Sequence, residues 1–237
     1  MWKSFLNAQD RLRDRAEAGQ MLAARLAAYA RRPDVLVLGL PRGGVAVAYE
    51  VAVALDAPLD VFLVRKLGVP GYEELAMGAI ASGGARVLND EVVKELEIPD
   101  GIIELVVAQE QKELLRRERL FRKEKPPLDA RGRAVIIVDD GLATGATMRE
   151  AVMALRCHQP ARIIVAVPVG TAEACADLLP LVDELVCLFK PEPFYAIGLW
   201  YADFAQLADA EVCEYLEDAE RRRSAQDAEV RELKKAV

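Results

Sequence analysis

The sequence has a single histidine, His158, and four cysteines with no CxxC pair among them. Structural zinc sites need closely spaced Cys and His ligands, so the ligand supply argues against one. Cys157, Cys175, Cys187 and Cys213 stand singly in apolar settings, which predicts buried thiols in a reducing compartment. A nucleophile activated by imidazole would have to use His158, at a helix end before Gln159-Pro160, with no residue placed to orient the ring. No apolar run reaches the roughly 18 residues of a membrane span, and Asp10 to Arg15 leave no apolar signal-peptide core. The expectation is a cytoplasmic protein without a membrane partner. Cationic excess is missing too: 31 Lys and Arg against 38 Asp and Glu give a net charge of −7. Any anionic ligand must therefore be held by a local site rather than by a general field. Neither a GK[ST] phosphate loop nor a GxGxxG dinucleotide turn occurs.

What is present is an ordinary globular composition, 237 residues with 53% hydrophobic and 29% charged side chains. That length suits one domain over 1–237, with a core over about 34–204. Leu12, Ala16, Leu22, Leu26 and Tyr29 fall near helical spacing, predicting a helix from Ala8 to about Tyr29. Apolar runs at 35–40, 61–64, 134–138, 162–167 and 184–188 predict strands, and 45–55, 146–157 and 171–179 predict the helices between them. Such repeated βα units give the α/β class: an open, mostly parallel sheet with helices on both faces. Residues 90–125 interrupt the repeat as a charged helical insertion, with Asp100 as a candidate cap for its second helix. Lys112 to Lys125 carries seven Lys or Arg and three Glu, yet Phe121 is its only aromatic, so a solvated helix face is favoured over a nucleic-acid surface. The tail from Glu214 to Val237 reads as a charged surface helix.

The chemistry concentrates in Val135-Ile136-Ile137-Val138-Asp139-Asp140-Gly141-Leu142-Ala143-Thr144-Gly145-Ala146-Thr147. A buried strand delivers two acids at its carboxyl end, where ligands of open parallel sheets bind. The small residues that follow let backbone N–H groups close around an anion at a helix N-terminus, and Thr144 and Thr147 add hydroxyl donors. Carboxylates repel phosphate, so the acids suit vicinal hydroxyls beside it, or a bridging metal. The loop thus asks for a sugar phosphate.

This stretch closely resembles the phosphoribosyl pyrophosphate motif of the type I phosphoribosyltransferases. The resemblance implies that Asp139 and Asp140 contact the ribose hydroxyls and that Ala143, Thr144, Gly145, Ala146 and Thr147 hold the 5′-phosphate. Gly141 departs from the aliphatic residue usual after the acids, which would loosen the loop. Pro41-Arg42-Gly43-Gly44 resembles the family's pyrophosphate loop, and Arg65-Lys66 the basic pair of its adenine-type members. Gly68 to Gly84 would correspond to a mobile lid. The implied reaction is displacement at the ribose C1 with loss of pyrophosphate. Asp139, Asp140 and Lys66 would be catalytic, and Arg42, Arg65 and Lys66 would meet the departing charge. Mg²⁺ would be bound mainly through substrate and water and only indirectly through Asp139 and Asp140.

The acceptor is less defined. Phe194, Tyr195, Trp200 and Tyr201 fall within eight residues, and this segment is similar to the base-stacking, hood-like part of hypoxanthine-type members. On that analogy Phe194 or Tyr195 stacks on a base, Lys190 meets an exocyclic oxygen, and Trp200 lies nearby. Aromatics packing the segment onto the core are the other reading. Ala143 stands where hypoxanthine-type enzymes carry an aspartate, so a mechanism using that acid is absent. Small-molecule substrates and a homodimer follow from the resemblance. A regulatory protein that binds a phosphoribosyl ligand without turnover is the competing reading, and a sugar-phosphate enzyme that does not use pyrophosphate is a third.

Overall fold

A computed structural model describes residues 11–123 and 125–235. Five parallel strands form the central sheet in the order β2-β1-β6-β7-β8. These are β1 (Val35–Gly39), β2 (Leu59–Val61), β6 (Ala134–Val138), β7 (Arg162–Val169) and β8 (Glu184–Phe189). β1 and β6 are buried at every position, as expected of central strands covered on both faces. Alternate residues divide the core. Val35, Val37, Ile136, Val138 and Ile164 face Leu22 of α1 (Arg15–Arg25), Leu26 just after it, and Val51 and Leu55 of α2 (Gly43–Leu55). Leu36, Leu38, Val135, Ile137 and Val165 face Met148, Val152 and Leu155 of α5 (Ala146–Arg156) and Leu178 of α6 (Ala172–Leu178). Helices on both faces follow directly from this two-residue alternation.

Several expectations are corrected. The strand expected at 61–64 is a break: β2 ends at Val61, and Val64 opens β3 (Val64–Val69) in a second sheet. That sheet is antiparallel, in the order β3-β4-β5, with β4 (Tyr72–Ala81) and β5 (Ala85–Leu88). Residues 68–84 are thus mostly strand rather than the expected loop; Gly68 and Gly78 allow close backbone approach, a Cβ on Gly78 falling 2.3 Å from the Val87 carbonyl oxygen. In the insertion, α3 (Asp90–Glu95) is capped by the Asn89 side chain, which accepts from the Val92 N–H. Asp100 does not cap α4 (Asp100–Arg122): it is the first helical residue, and Pro99 occupies the cap position.

The first helix is shorter than expected, with a 3₁₀ turn at Ala27–Tyr29, and residues 8–10 of the expectation lie outside the described residues. The tail helix α7 (Asp209–Lys235) starts earlier than expected and is not merely a surface element, since Val212 and Leu216 are buried against the α1–α2 side of the core. Only Cys175 is a buried thiol; Cys157 is exposed, and Cys187 and Cys213 are half-buried. His158 has a packing role. Its Nε2 lies 2.9 Å from the Ser82 carbonyl oxygen and its ring meets Phe62 edge-on.

The aromatic segment packs onto the core. Tyr201 is buried with Leu12, Ala18 and Val169, and Phe194, Ile197, Trp200 and Phe204 lean on that cluster. The amino-terminal chain runs alongside it, with Leu12 N–H donating to the Trp200 carbonyl and Ala202 N–H to the Leu12 carbonyl. No aromatic hood results.

Candidate phosphoribosyl site

Strand order locates the site before any side chain is considered. From β1 the chain moves outward to β2, whereas from β6 it moves the other way through β7 to β8. The switch point lies between β1 and β6, whose last residues Gly39 and Val138 are register partners. Loops that leave adjacent strands at a switch point diverge and open a crevice. The two connections here are Leu40–Arg42, which leads straight into Gly43-Gly44 at the start of α2, and Asp139–Gly145.

Glycine lets these loops touch. A Cβ on Gly43 would stand 1.8 Å from Asp140 Oδ2, and one on Gly44 would stand 2.8 Å from Asp139 Cα and 2.9 Å from Asp139 Oδ1. Any larger residue at either position would displace the acids. Arg42 precedes them through a cis Pro41–Arg42 peptide, and its guanidinium reaches Asp209 at 3.8 Å.

The acid pair is shielded and internally linked. Asp140 N–H donates to Asp139 Oδ1 at 2.8 Å. Burial, then the charge of Asp140, pushes Asp139 well above the ordinary carboxylate range, against the pull of that bond and of Arg15. Asp140 is also raised by burial, but Arg15 opposes the shift directly. Arg15 Nε and Nη2 both meet Asp140 Oδ2, at 2.9 and 2.8 Å. The Tyr201 hydroxyl donates to the Asp140 carbonyl at 2.7 Å, and burial raises this phenol strongly.

Beyond the acids, the loop is tied down at its start and open at its end. Leu142 N–H donates to the Val169 carbonyl and Thr171 N–H to the Leu142 carbonyl, while the Thr171 hydroxyl donates to the Ala143 carbonyl. Gly145 then takes a left-handed conformation (φ 77°) and α5 begins without a side-chain cap. Thr144 Oγ1 accepts from Ala146 N–H at 3.4 Å. Among the described residues the N–H groups of Thr147 and Met148 have no protein acceptor. Ala143, Thr144, Ala146 and Thr147 are exposed, which suits amides and hydroxyls offered to an anion. Gly141 is not a source of looseness. It is buried, and a Cβ there would fall 2.5 Å from Ile197 Cγ2, so the isoleucine fills the space an aliphatic side chain would take.

Arg65 and Lys66 point to opposite sides of β3. Arg65 turns to α4, where it binds Glu110 through Nε at 2.7 Å. Lys66 points to the other side, toward the Glu74 carboxylate at 3.6 Å, and pulls down the acid of Glu150 on α5, which burial otherwise raises. The candidate acceptor residues also divide. Phe194 is half-buried and Tyr195 is exposed. Lys190 and Trp200 line a cavity of about 520 Å³ with Glu17 and Met21. Those two residues follow Arg15 by two and six positions, about 200° and 240° around the helix, so this cavity opens on the far side of α1 from the acids. The basic stretch of α4 is largely neutralised: Glu113 binds Arg116 and Arg117, Asp60 binds Arg122, and α7 supplies Glu217 to Lys123 and Glu220 to Lys125.

Arg15, Thr171, Tyr201 and Ile197 were not identified from sequence. All but Thr171 lie more than 50 residues from the acids in the chain, where no local spacing links them.

The fold and this crevice define an α/β protein with an exposed small-residue turn and a carboxylate pair at one switch point. The chain belongs to the type I phosphoribosyltransferase family: the phosphoribosyl transferase domain matches residues 8–180. A Mycobacterium tuberculosis (strain H37Rv) protein provisionally named a phosphoribosyl transferase is 46% identical over 208 residues, covering 88% of this chain and 47% of that protein. This chain therefore spans about half the length of that curated relative. The crystal structure of TT1426 from Thermus thermophilus superposes with a TM-score of 0.79 at 41% identity, covering 87% of this chain and 97% of that one. The bifunctional protein PyrR of Chloroflexus aurantiacus is 33% identical over 129 residues, 53% of this chain and 65% of that protein. Among the described residues no helix is long and apolar enough to cross a membrane.

Proposed function

We propose that the protein transfers the 5-phosphoribosyl group of phosphoribosyl pyrophosphate to a nitrogenous acceptor, releasing pyrophosphate. The observation that carries this reading is the contact of Gly43-Gly44 with Asp139-Asp140 beside the uncapped start of α5. The 5′-phosphate would lie against the amides and hydroxyls of Ala143 to Thr147, the ribose diol against the acids, and the diphosphate along Arg42 to Gly44. Positive charge developing on the ring would sit beside the carboxylates, so the pair lends negative potential where the transition state needs it. Holding both ends of the sugar fixes C1 for attack, which lowers the entropic part of the barrier. Lys66, half-exposed on β3, is the cation assigned to the departing charge, whereas Arg65 is engaged with Glu110.

No group of three or more His, Cys, Asp or Glu able to cage a metal exists among the described residues. The two acids fit Mg²⁺ only in the way that ion is usually held with phosphates, through substrate oxygens and water with little protein ligation. Bound so, it would neutralise diphosphate charge. The acceptor reading keeps Phe194 and Tyr195, in the segment whose Ile197 covers Gly141; Lys190 and Trp200 contribute only if an acceptor extends around α1.

The test is pyrophosphate release from Mg²⁺–phosphoribosyl pyrophosphate across a panel of purines, pyrimidines and other amines. Release dependent on one acceptor class supports the reading. Absence of both release and phosphoribosyl pyrophosphate binding overturns it. The regulatory alternative draws less support, because Arg116, Arg117, Arg122, Lys123 and Lys125, five of the seven cations between Lys112 and Lys125, are engaged by carboxylates.

A further inference from the structure

Arg15 is the best-anchored cation near the acids, and no sequence motif points to it. Its Nη1 donates to the Ala205 carbonyl at 2.8 Å, and its guanidinium lies 4.0 Å from the centre of the Phe204 ring. Its remaining contacts, Nε and Nη2, both go to the same carboxylate oxygen, Asp140 Oδ2. The space beside that oxygen is the space a Gly43 side chain would need: the missing Cβ would stand 2.9 Å from Arg15 Nε. One guanidinium therefore joins the start of α1, the acid pair, the glycine loop and the carboxyl-terminal segment.

The consequence lies in what remains. Asp140 Oδ2 is used by Arg15, and Asp139 Oδ1 is used by the Asp140 N–H. Asp140 Oδ1 and Asp139 Oδ2 have no protein donor among the described residues. Two acceptor oxygens on adjacent residues match two vicinal hydroxyls, provided neither carboxyl group rotates. A fork held at three corners by a ring, a carbonyl and a carboxylate blocks that rotation better than a lysine ammonium could.

We propose that Arg15 is a positioning residue for ribose recognition: it fixes the Asp140 carboxylate through Oδ2 so that Oδ1, with Asp139 Oδ2, faces the 2′,3′-diol. This rests on the phosphoribosyl reading above. Arg15 does not touch the sugar itself; it sets the direction of the group that does. The role separates from fold maintenance because it bears on the diol alone, not on the phosphate held further along the loop.

The experiment measures dissociation constants by calorimetry for ribose 5-phosphate, 2-deoxyribose 5-phosphate and inorganic phosphate, with thermal melts run alongside. Wild-type protein is expected to bind ribose 5-phosphate about tenfold or more tighter than its 2-deoxy analogue, the loss of one hydrogen bond to a charged group being of that size. Arg15→Met should collapse that preference to under about threefold while leaving phosphate affinity unchanged, and Arg15→Lys should restore part of it. Unchanged preference in Arg15→Met overturns the proposal, as does an equal loss for all three ligands, which marks a purely structural role. If Arg15→Met does not fold, Arg15→Lys decides: a preference equal to wild type overturns the proposal and a reduced one supports it. Should the wild type itself show no preference for ribose, the phosphoribosyl reading fails first and this proposal with it.

Discussion

Two arginine–aspartate pairs in this molecule are buried almost equally, and they do opposite things with their oxygens. Asp60 on edge strand β2 and Arg122 at the end of α4 keep 13% and 9% of their side-chain surface. At the end of central strand β6, Asp140 and Arg15 keep 15% and 11%. Arg122 meets both oxygens of Asp60 at 3.0–3.2 Å, the Val61 N–H donates to Oδ1, and Arg122 also donates to the Pro126 carbonyl at 2.7 Å. That pair is closed on itself. Arg15 engages one oxygen of Asp140 and leaves the other open, beside a second buried acid. Burial alone thus does not separate the two pairs; spare acceptor capacity beside a second buried acid does. A buried pair is not in itself stabilising, since desolvation offsets much of the attraction, so the two pairs differ in what their oxygens leave free rather than in how deeply they lie.

The largest expected effect tests the open pair. Asp139→Asn with Asp140→Asn should lower turnover on the order of a thousandfold while the protein still folds, because the amide oxygens can still accept from Arg15 and from the Asp140 N–H. Steady-state kinetics beside calorimetric melts check both halves; retained turnover would remove these residues from the site. The closed pair should respond the other way. Arg122→Ala leaves Asp60 buried without its partner and should cost about 3–5 kcal/mol in urea unfolding, with phosphoribosyl pyrophosphate affinity unchanged well below the transition. A parallel loss of affinity would erase the distinction drawn here.

Gly43→Ala comes next in size, since its methyl would have to displace Asp140 Oδ2 from 1.8 Å. Affinity should fall on the order of a hundredfold, the scale for misplacing a binding group by about 1 Å. Gly132→Ala is the control: it has positive φ but nothing within 4 Å, so it should lower stability by about 1–2 kcal/mol and leave binding alone.

How much of this was legible follows from how far each contact reaches along the chain. Four of the five parallel strands and their helices could be read because β-branched runs and helical spacing are local signals, as in Val135–Val138 and Val35–Leu38. The acids and the turn of small residues after them were equally plain as a strand end and a helix start, being contiguous. Arg15, 125 residues from Asp140, was invisible because an arginine in an amino-terminal helix has the same local signature whether it faces solvent or a carboxylate. Gly141 was misread for the same reason: its partner Ile197 belongs to a distant segment. Residues 61–64 were misplaced because an apolar run carries no mark of where one sheet ends and another begins. Arg65-Lys66 looked like a pair in one dimension, but neighbouring residues of a strand point to opposite faces.

The smallest expected effect concerns pH, and its sign separates the open pair from the surface acids. Asp139 is raised in the folded state above its ordinary 3.8, by burial first and Asp140 second. Between that ordinary value and the raised one, the folded chain holds a proton that the unfolded chain has released. Stability from this group is therefore fully present below about pH 4 and is lost as pH rises through the raised value. Glu113, bound by Arg116 and Arg117, and Asp218, bound by Tyr49 and Arg222, are both pulled down to about 2. Their contribution has the opposite sense: it is present above about pH 4 and is lost as pH falls toward 2. Asp139→Asn should accordingly gain stability relative to wild type as pH is raised from 4, whereas Glu113→Gln should lose stability relative to wild type at neutral pH and converge with it near pH 2. Urea unfolding of the three proteins across that range reads both slopes. Were the Asp139→Asn difference flat with pH, Asp139 would not be the strained member of the pair, and the open site would lose the electrostatic tension that distinguishes it from Arg122–Asp60.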